Sequence, residues 1–93
     1  MMVETTKFGM AEYLDSPEAI ATYLQVVLDE NDHAAFRKAL GTVARAVGMS
    51  KLAEKASVAR ASLYKALSDT GNPSFETVAR VLKPLGLRLS VAP

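Results

Sequence analysis

The sequence predicts a small all-α domain of five helices with a helix-turn-helix and a short C-terminal β-strand. Three observations predict this fold class: amphipathic helical periods along most of the chain, two short apolar patterns joined by a turn between Ser50 and Ser68, and an alternating tail at residues 87–91. The chain has 93 residues, of which 49% are apolar, so one domain with a single core is expected.

The composition excludes several classes of protein. The chain has no cysteine, which excludes disulfide frameworks and thiolate zinc sites and fits a reducing compartment. The first ten residues lack the basic and apolar pattern of a secretory signal, and no apolar run approaches the length of a membrane span. We therefore expect a cytoplasmic protein.

Charge is unevenly distributed along the chain, although the formal net charge is only +1. Residues 1–33 contain seven acidic residues against one lysine, whereas residues 34–68 contain seven basic residues against one glutamate. This asymmetry indicates either two faces with different partners or two blocks that attract each other within one fold.

Residues 1–15 show no clear period and are predicted to form an N-terminal arm that packs on its own domain or docks on a partner. The helical domain is then expected to occupy residues 16–93. Its first helix begins with Ser16 as N-cap and Pro17 in the first helical position. The apolar stripe of this helix is Ile20, Tyr23, Leu24, Val27 and Leu28.

The second helix is predicted to begin near Asp32 and to end at Gly48. Gly41 lies in its middle, where a glycine costs up to about 1 kcal/mol relative to alanine, so close packing of another helix is expected there. The apolar seam of the second helix is Phe36, Leu40, Val43 and Val47.

Ser50 is predicted to cap the first helix of the helix-turn-helix. The small side chains of Ala53 and Ala56 would let the two helices approach closely. The remaining apolar positions of the motif are Leu52, Val58, Leu63, Ala66 and Leu67.

Ser74 is predicted to cap the last helix, and Gly86 to end it in a left-handed conformation. The predicted buried seam of this helix is Phe75, Val78, Leu82 and Leu85. The alternating residues 87–91 then predict the short strand, which would pair with the N-terminal arm, with a second subunit or with another protein.

No pattern in the chain favours an enzyme. His33 is the only histidine and lies among acidic residues between two predicted helices, which is typical of a solvated loop. Metal-ligand spacing and glycine-rich phosphate loops are absent from the sequence. We therefore assign no catalytic residue, no metal site and no cofactor.

The second helix of the motif has a polar and basic side without carboxylates, which favours DNA binding. Arg60 and Ser62 lie near its start, where side chains reach base edges, and Arg60 could bond the O6 and N7 atoms of a guanine. Ser50 and Lys51 open the preceding helix and are suited to a phosphate. The alternative is that all of these are ordinary solvated residues of a helical bundle. The candidate DNA-binding residues are Ser50, Lys51, Arg60, Ser62, Tyr64, Lys65, Ser68 and Asn72.

From about Tyr13 to Val91 the chain resembles the antitoxins of bacterial addiction modules that carry a lambda-repressor-like, Xre-type helix-turn-helix. The resemblance depends on the segments SLYKALS, GNPSF and LGLRL in that order and spacing. It implies a lambda-repressor-like fold, direct neutralisation of a small RelE/ParE-like toxin, and repression by a homodimer bound to double-stranded promoter DNA. The resemblance places the DNA-reading role on Arg60, Ser62 and Lys65.

Three residues depart from the pattern of that family. Ser57 stands where a glycine is usual and would need a positive φ or a different turn. Ala59 stands where a capping serine or threonine is usual, and Ala61 where a longer polar side chain is common. Two alternatives therefore stay open: an antitoxin that binds only its toxin, through the acidic N-terminal region, and a transcriptional regulator without a toxin.

Overall fold

The computed structural model describes residues 14–93, so most of the predicted N-terminal arm lies outside the described residues. The regular secondary structure of these residues is entirely helical. The five helices are α1 (Pro17–Asp29), α2 (His33–Val47), α3 (Met49–Ala56), α4 (Arg60–Ala66) and α5 (Phe75–Leu82), followed by a 3-10 turn (Lys83–Leu85). Within this part of the chain no helix is long and apolar enough to cross a membrane.

Three helices begin where the sequence predicts, and each has a side-chain cap at that point. The Ser16 side chain accepts a hydrogen bond of 3.1 Å from the backbone N–H of Ala19 at the start of α1. Asp32 and Ser74 accept equivalent bonds, each 3.1 Å long, at the starts of α2 and α5. Because the first backbone N–H groups of a helix have no partner within it, these short polar side chains fix where each helix starts.

The prediction that Ser50 caps α3 is wrong. The helix begins at Met49, two residues before the start that a Ser50 cap predicts, and its N-cap is Gly48 with φ 114° and ψ 112°, which makes no side-chain cap bond. Gly48 also ends α2, so a single residue joins the two helices. The carbonyl of Gly48 already accepts a hydrogen bond of 2.9 Å from the N–H of Leu52, so helical bonding begins before Ser50.

Helix α3 lies at the centre of the fold and packs against α2, α4, α5 and the 3-10 turn. Ala53 and Ala56 are buried on it, as the motif predicts. Gly41 of α2 is also buried, and a Cβ there would lie 3.3 Å from Nη1 of Arg45 and 3.4 Å from the carbonyl oxygen of Leu67, so the chain after α4 packs closely on this position. The largest fully buried side chains are Leu40, Val43, Leu52, Leu63 and Val81.

Two positions in the predicted apolar seams are wrong. Phe75 is 76% exposed at the start of α5, and Leu28 is 46% exposed at the end of α1. Both stripes continue past the edge of the core, because periodicity shows which side of a helix is apolar but not where the neighbouring elements end. The predicted Leu82 is buried and Val78 is half-buried, and Val81, which lies outside the predicted seam, is buried as well.

The predicted C-terminal strand is also wrong, because residues 14–93 contain no strand and the chain after the 3-10 turn is irregular. Gly86 adopts a φ of 81°, as predicted, and the backbone N–H of Leu87 bonds to the carbonyl of Leu82 at 3.0 Å. The start of the tail is thus tied to the end of the helix. Its alternating residues lie beside no second strand among the described residues, so the backbone of the tail has no strand to hydrogen-bond with in this part of the chain.

Candidate nucleic-acid interface

A three-residue turn joins α3 to α4. Ser57 adopts the left-handed conformation, with φ 59° and ψ 42°, so the positive φ considered for this non-glycine residue is the one adopted. The N–H of Ser57 donates to the carbonyl of Glu54 at 3.2 Å, and the N–H of Val58 donates to that of Ala53 at 3.0 Å. This pair of bonds is a Schellman motif, which usually places a glycine at the position of Ser57.

Ala59, the second departure, is the N-cap of α4 and is extended, with φ −66° and ψ 139°. It has no side-chain oxygen, so α4 begins without a side-chain cap bond. A missing cap costs typically about 1 kcal/mol. The start of this seven-residue helix is therefore supported by the turn and by core packing rather than by its own sequence.

Helix α4 presents one side to the core and the other to solvent. Leu63 is 1% exposed on the inner side. Four of the predicted DNA-binding side chains lie together on the exposed part of the helix, and none of them is a carboxylate: Arg60, Ser62, Tyr64 and Lys65. Ala61, the third departure, is also exposed, and it adds no hydrogen-bonding group to this surface.

Arg60 and Tyr64 form a pair that the sequence analysis did not anticipate. The guanidinium carbon of Arg60 lies 5.4 Å from the centre of the Tyr64 ring, and its Nη2 makes a long contact of 3.5 Å with the Tyr64 hydroxyl. Such a contact contributes about 0.5–1 kcal/mol at an exposed site and limits the rotamers of the arginine. The i, i+4 spacing of the two residues was the available signal.

The other four candidates lie outside α4. Ser50 and Lys51 are exposed in the first turn of α3. Ser68 follows α4 and is half-buried, and its hydroxyl donates a hydrogen bond of 2.7 Å to the carbonyl of Lys65. That bond uses the hydroxyl proton to satisfy the end of the helix, which is a structural role. Asn72 is exposed in the loop before Pro73.

Two arginines from distant parts of the chain hold the segments on either side of α4. Arg80 of α5 donates to the carbonyl of Ser57 in the preceding turn at 3.3 Å, while it pairs with Glu76 at 2.8 Å. Arg37 of α2 donates to the carbonyl of Asp69 in the following loop at 2.7 Å. These residues were not among the predicted site residues, because their contacts span 23 and 32 positions of sequence.

The acidic and basic blocks of the sequence form no ion pair with each other in residues 14–93, where the one ion pair joins Arg80 and Glu76. The acidic residues of the α1–α2 corner are exposed, as are the basic residues of α3 and α4. Direct pairing within the described part of the fold therefore does not explain the asymmetry of charge. In the same residues, no group of three or more histidine, aspartate or glutamate side chains is placed to hold a metal ion.

Comparison with known proteins identifies the family. Residues 4–93 match the model of a family described as "Probable addiction module antidote protein". A Haemophilus influenzae protein with the name "Uncharacterized protein" is 47% identical over 91 residues, which cover 97% of this chain and 94% of that protein. No solved structure matches the chain. The chain therefore belongs to the family with this description.

Proposed function

We propose that the protein is a DNA-binding antitoxin, which neutralises a small toxin by direct binding and represses its own promoter. The DNA-binding part of this proposal rests on the exposed surface of α4, which presents two basic and two hydroxyl side chains and contains no carboxylate. Such a surface suits phosphate oxygens and the acceptors of base edges in the major groove. Membership of an antidote family supports the toxin-binding part.

In this proposal α3 and α4 act as a helix-turn-helix, and the protein acts as a homodimer. Helix α4 has only seven residues, so one copy offers few groups to base edges. Two copies spaced about one helical turn of DNA (roughly 34 Å) would read a near-palindrome in the shared promoter. The toxin partner would be a RelE/ParE-like protein in the cytoplasm, and the antitoxin itself would catalyse no reaction.

The DNA-binding part is tested by titrating the purified protein against a fragment of its own promoter across a salt series. The test variant is Arg60→Ala, Lys65→Ala. The matched control is Lys83→Ala, Arg88→Ala, which removes the same charge from exposed positions outside α4. We expect the affinity of the wild type to fall with salt with a log–log slope of about −0.9 for each phosphate neutralised.

The test variant should lose about tenfold or more in affinity for the promoter, because a base contact and a charged contact are both removed, whereas the control should stay near the wild type. Equal weak binding by all three proteins would contradict a DNA-reading role for α4. Coexpression with the product of the gene adjacent to this one tests the other part. Growth should be restored by the wild type, and a failure to restore it would favour a regulator without a toxin.

An antitoxin that binds only its toxin is the second candidate function. The uncapped start of α4 at Ala59 and the left-handed Ser57 favour it, because both features weaken the unit that would read DNA. The two experiments separate the candidates. Restored growth together with promoter binding no tighter than to unrelated DNA of the same length would support the second one.

A further inference from the structure

A groove runs along the end of α1 and the beginning of α2, on the protein surface. It consists of two adjoining cavities that share Leu28 and Phe36 in their walls. The C-terminal tail closes one cavity with Leu87 and Leu89. The loop before α5 closes the other with Pro73. The groove therefore has an apolar floor between two irregular segments.

The α1–α2 corner adjoins one end of the groove and is acidic. Asp32 lies in the groove wall, and Asp29 and Glu30 are exposed on the same corner just outside that wall. None of the three forms an ion pair within residues 14–93. Asp29 accepts a hydrogen bond from Gln25 at 3.0 Å, and Asp32 caps α2 with one oxygen, so both keep acceptor capacity toward solvent.

Two arginines and a histidine also line the groove. Arg37 and His33 line the same cavity as Asp32, and the Arg37 guanidinium is engaged by the Asp69 carbonyl, to which it donates at 2.7 Å. Arg88 lies in the other cavity, in the tail. The carboxylates of the corner therefore lie at the end of the groove opposite Arg88, with Arg37 satisfied by a backbone carbonyl.

We propose that this groove is the toxin-binding surface and that it takes an amphipathic segment of the toxin with lysine or arginine at one end. The inference rests on the proposed antitoxin function. Apolar side chains of the segment cover Leu28 and Phe36, and its basic end pairs with the carboxylates of the corner. Residues 1–13 of this chain are a poorer occupant, since they carry two glutamates against one lysine.

The experiment measures the Kd between the purified wild type and the product of the adjacent gene, which is the toxin in the proposed function, by calorimetry at two salt concentrations. Leu28→Ser tests the floor, and its matched control is Val26→Ser, which is 57% exposed on the same helix but outside the groove walls. Glu30→Lys tests the corner, and its matched control is Glu54→Lys, which changes the net charge equally from an exposed position of α3.

We expect each test variant to raise the Kd about tenfold or more, because a central apolar anchor or a facing charge is lost, while each control stays within about threefold. The wild-type affinity should fall as salt is added, and Glu30→Lys should reduce that dependence. Melting curves followed by circular dichroism should be close to that of the wild type for all four variants, since the changed side chains are exposed.

Three results would overturn the proposal. If the wild type binds the toxin and the test variants bind as tightly as their controls, the groove is wrong while the antitoxin function stands. If the wild type does not bind the toxin, the groove and the toxin-binding function fail together. If Leu28→Ser and Glu30→Lys turn a wild-type dimer into monomers and the controls do not, the groove is covered by a second copy of the chain.

Discussion

Replacing Ser57 by glycine should stabilise this protein, because the residue has a left-handed backbone conformation. It holds φ 59° and ψ 42° at the end of α3, in a Schellman motif whose two backbone bonds need only its N–H and that of Val58. A left-handed conformation costs a residue with a Cβ roughly 1–2 kcal/mol, and glycine avoids that cost. Ser57→Gly keeps both backbone bonds and the carbonyl that Arg80 contacts at 3.3 Å.

The gain is smaller than the strain, because glycine also has more freedom in the unfolded chain. That freedom costs roughly 0.5–1 kcal/mol, so the free energy of unfolding should rise by about 0.5–1 kcal/mol. For a domain of this size such a gain raises Tm by about 2–8 °C. Ser57 is exposed, so loss of its hydroxyl contributes little.

The assay is thermal and urea unfolding followed by circular dichroism at one fixed protein concentration, so that any association contributes equally to each sample. The control is Ser57→Ala, which removes the hydroxyl but keeps the Cβ. It should change the free energy of unfolding by no more than about 0.5 kcal/mol. A Ser57→Gly protein that melts at or below the wild type, or an alanine variant that is stabilised as much as the glycine variant, would refute the argument from backbone strain.

Two further substitutions test the segments on either side of α4. Ala59→Ser should add a side-chain acceptor at the N-cap of α4 and raise the free energy of unfolding by about 1 kcal/mol. An unchanged midpoint of urea unfolding would show that a side-chain cap does not stabilise the start of this helix. Gly71→Ala should lower the free energy of unfolding by about 3 kcal/mol, because the new Cβ would clash with the backbone carbonyls of Lys65 and Ala66. Those carbonyls cannot move without shifting α4. Asn72→Ala, at an exposed neighbour, is the control for that loop, and equal melting of the two alanine variants would contradict the steric account.

Much of the fold could be predicted because the relevant interactions are local in sequence. The caps at Ser16, Asp32 and Ser74 each bond a backbone N–H three residues away, so a short stretch is sufficient to predict them. The same holds for Gly86, where a left-handed residue ends the last turn. The predicted cap at Ser50 is wrong, because the first helical hydrogen bond of α3 is accepted by the carbonyl of Gly48.

The candidate site divides in the same way. Sequence reasoning found the exposed basic side of α4, because helical periodicity places Lys65 on the side of the helix opposite the buried Leu63. It did not find the arginines that hold the segments around α4, since Arg37 and Arg80 contact those segments through backbone carbonyls. A carbonyl is present at every residue, so nothing in the sequence indicates which one is contacted.

By itself the sequence determined the helical periods, most of the helix starts, the acid-free side of α4 and the strain expected at Ser57. The tertiary structure decided where the apolar stripes leave the core, at Leu28 and Phe75, and that the alternating tail after Gly86 forms no strand among the described residues. The physical reason is the sequence separation between the groups that interact. Caps and periods depend on neighbours within one or two turns, whereas burial and strand pairing depend on which distant segment lies opposite.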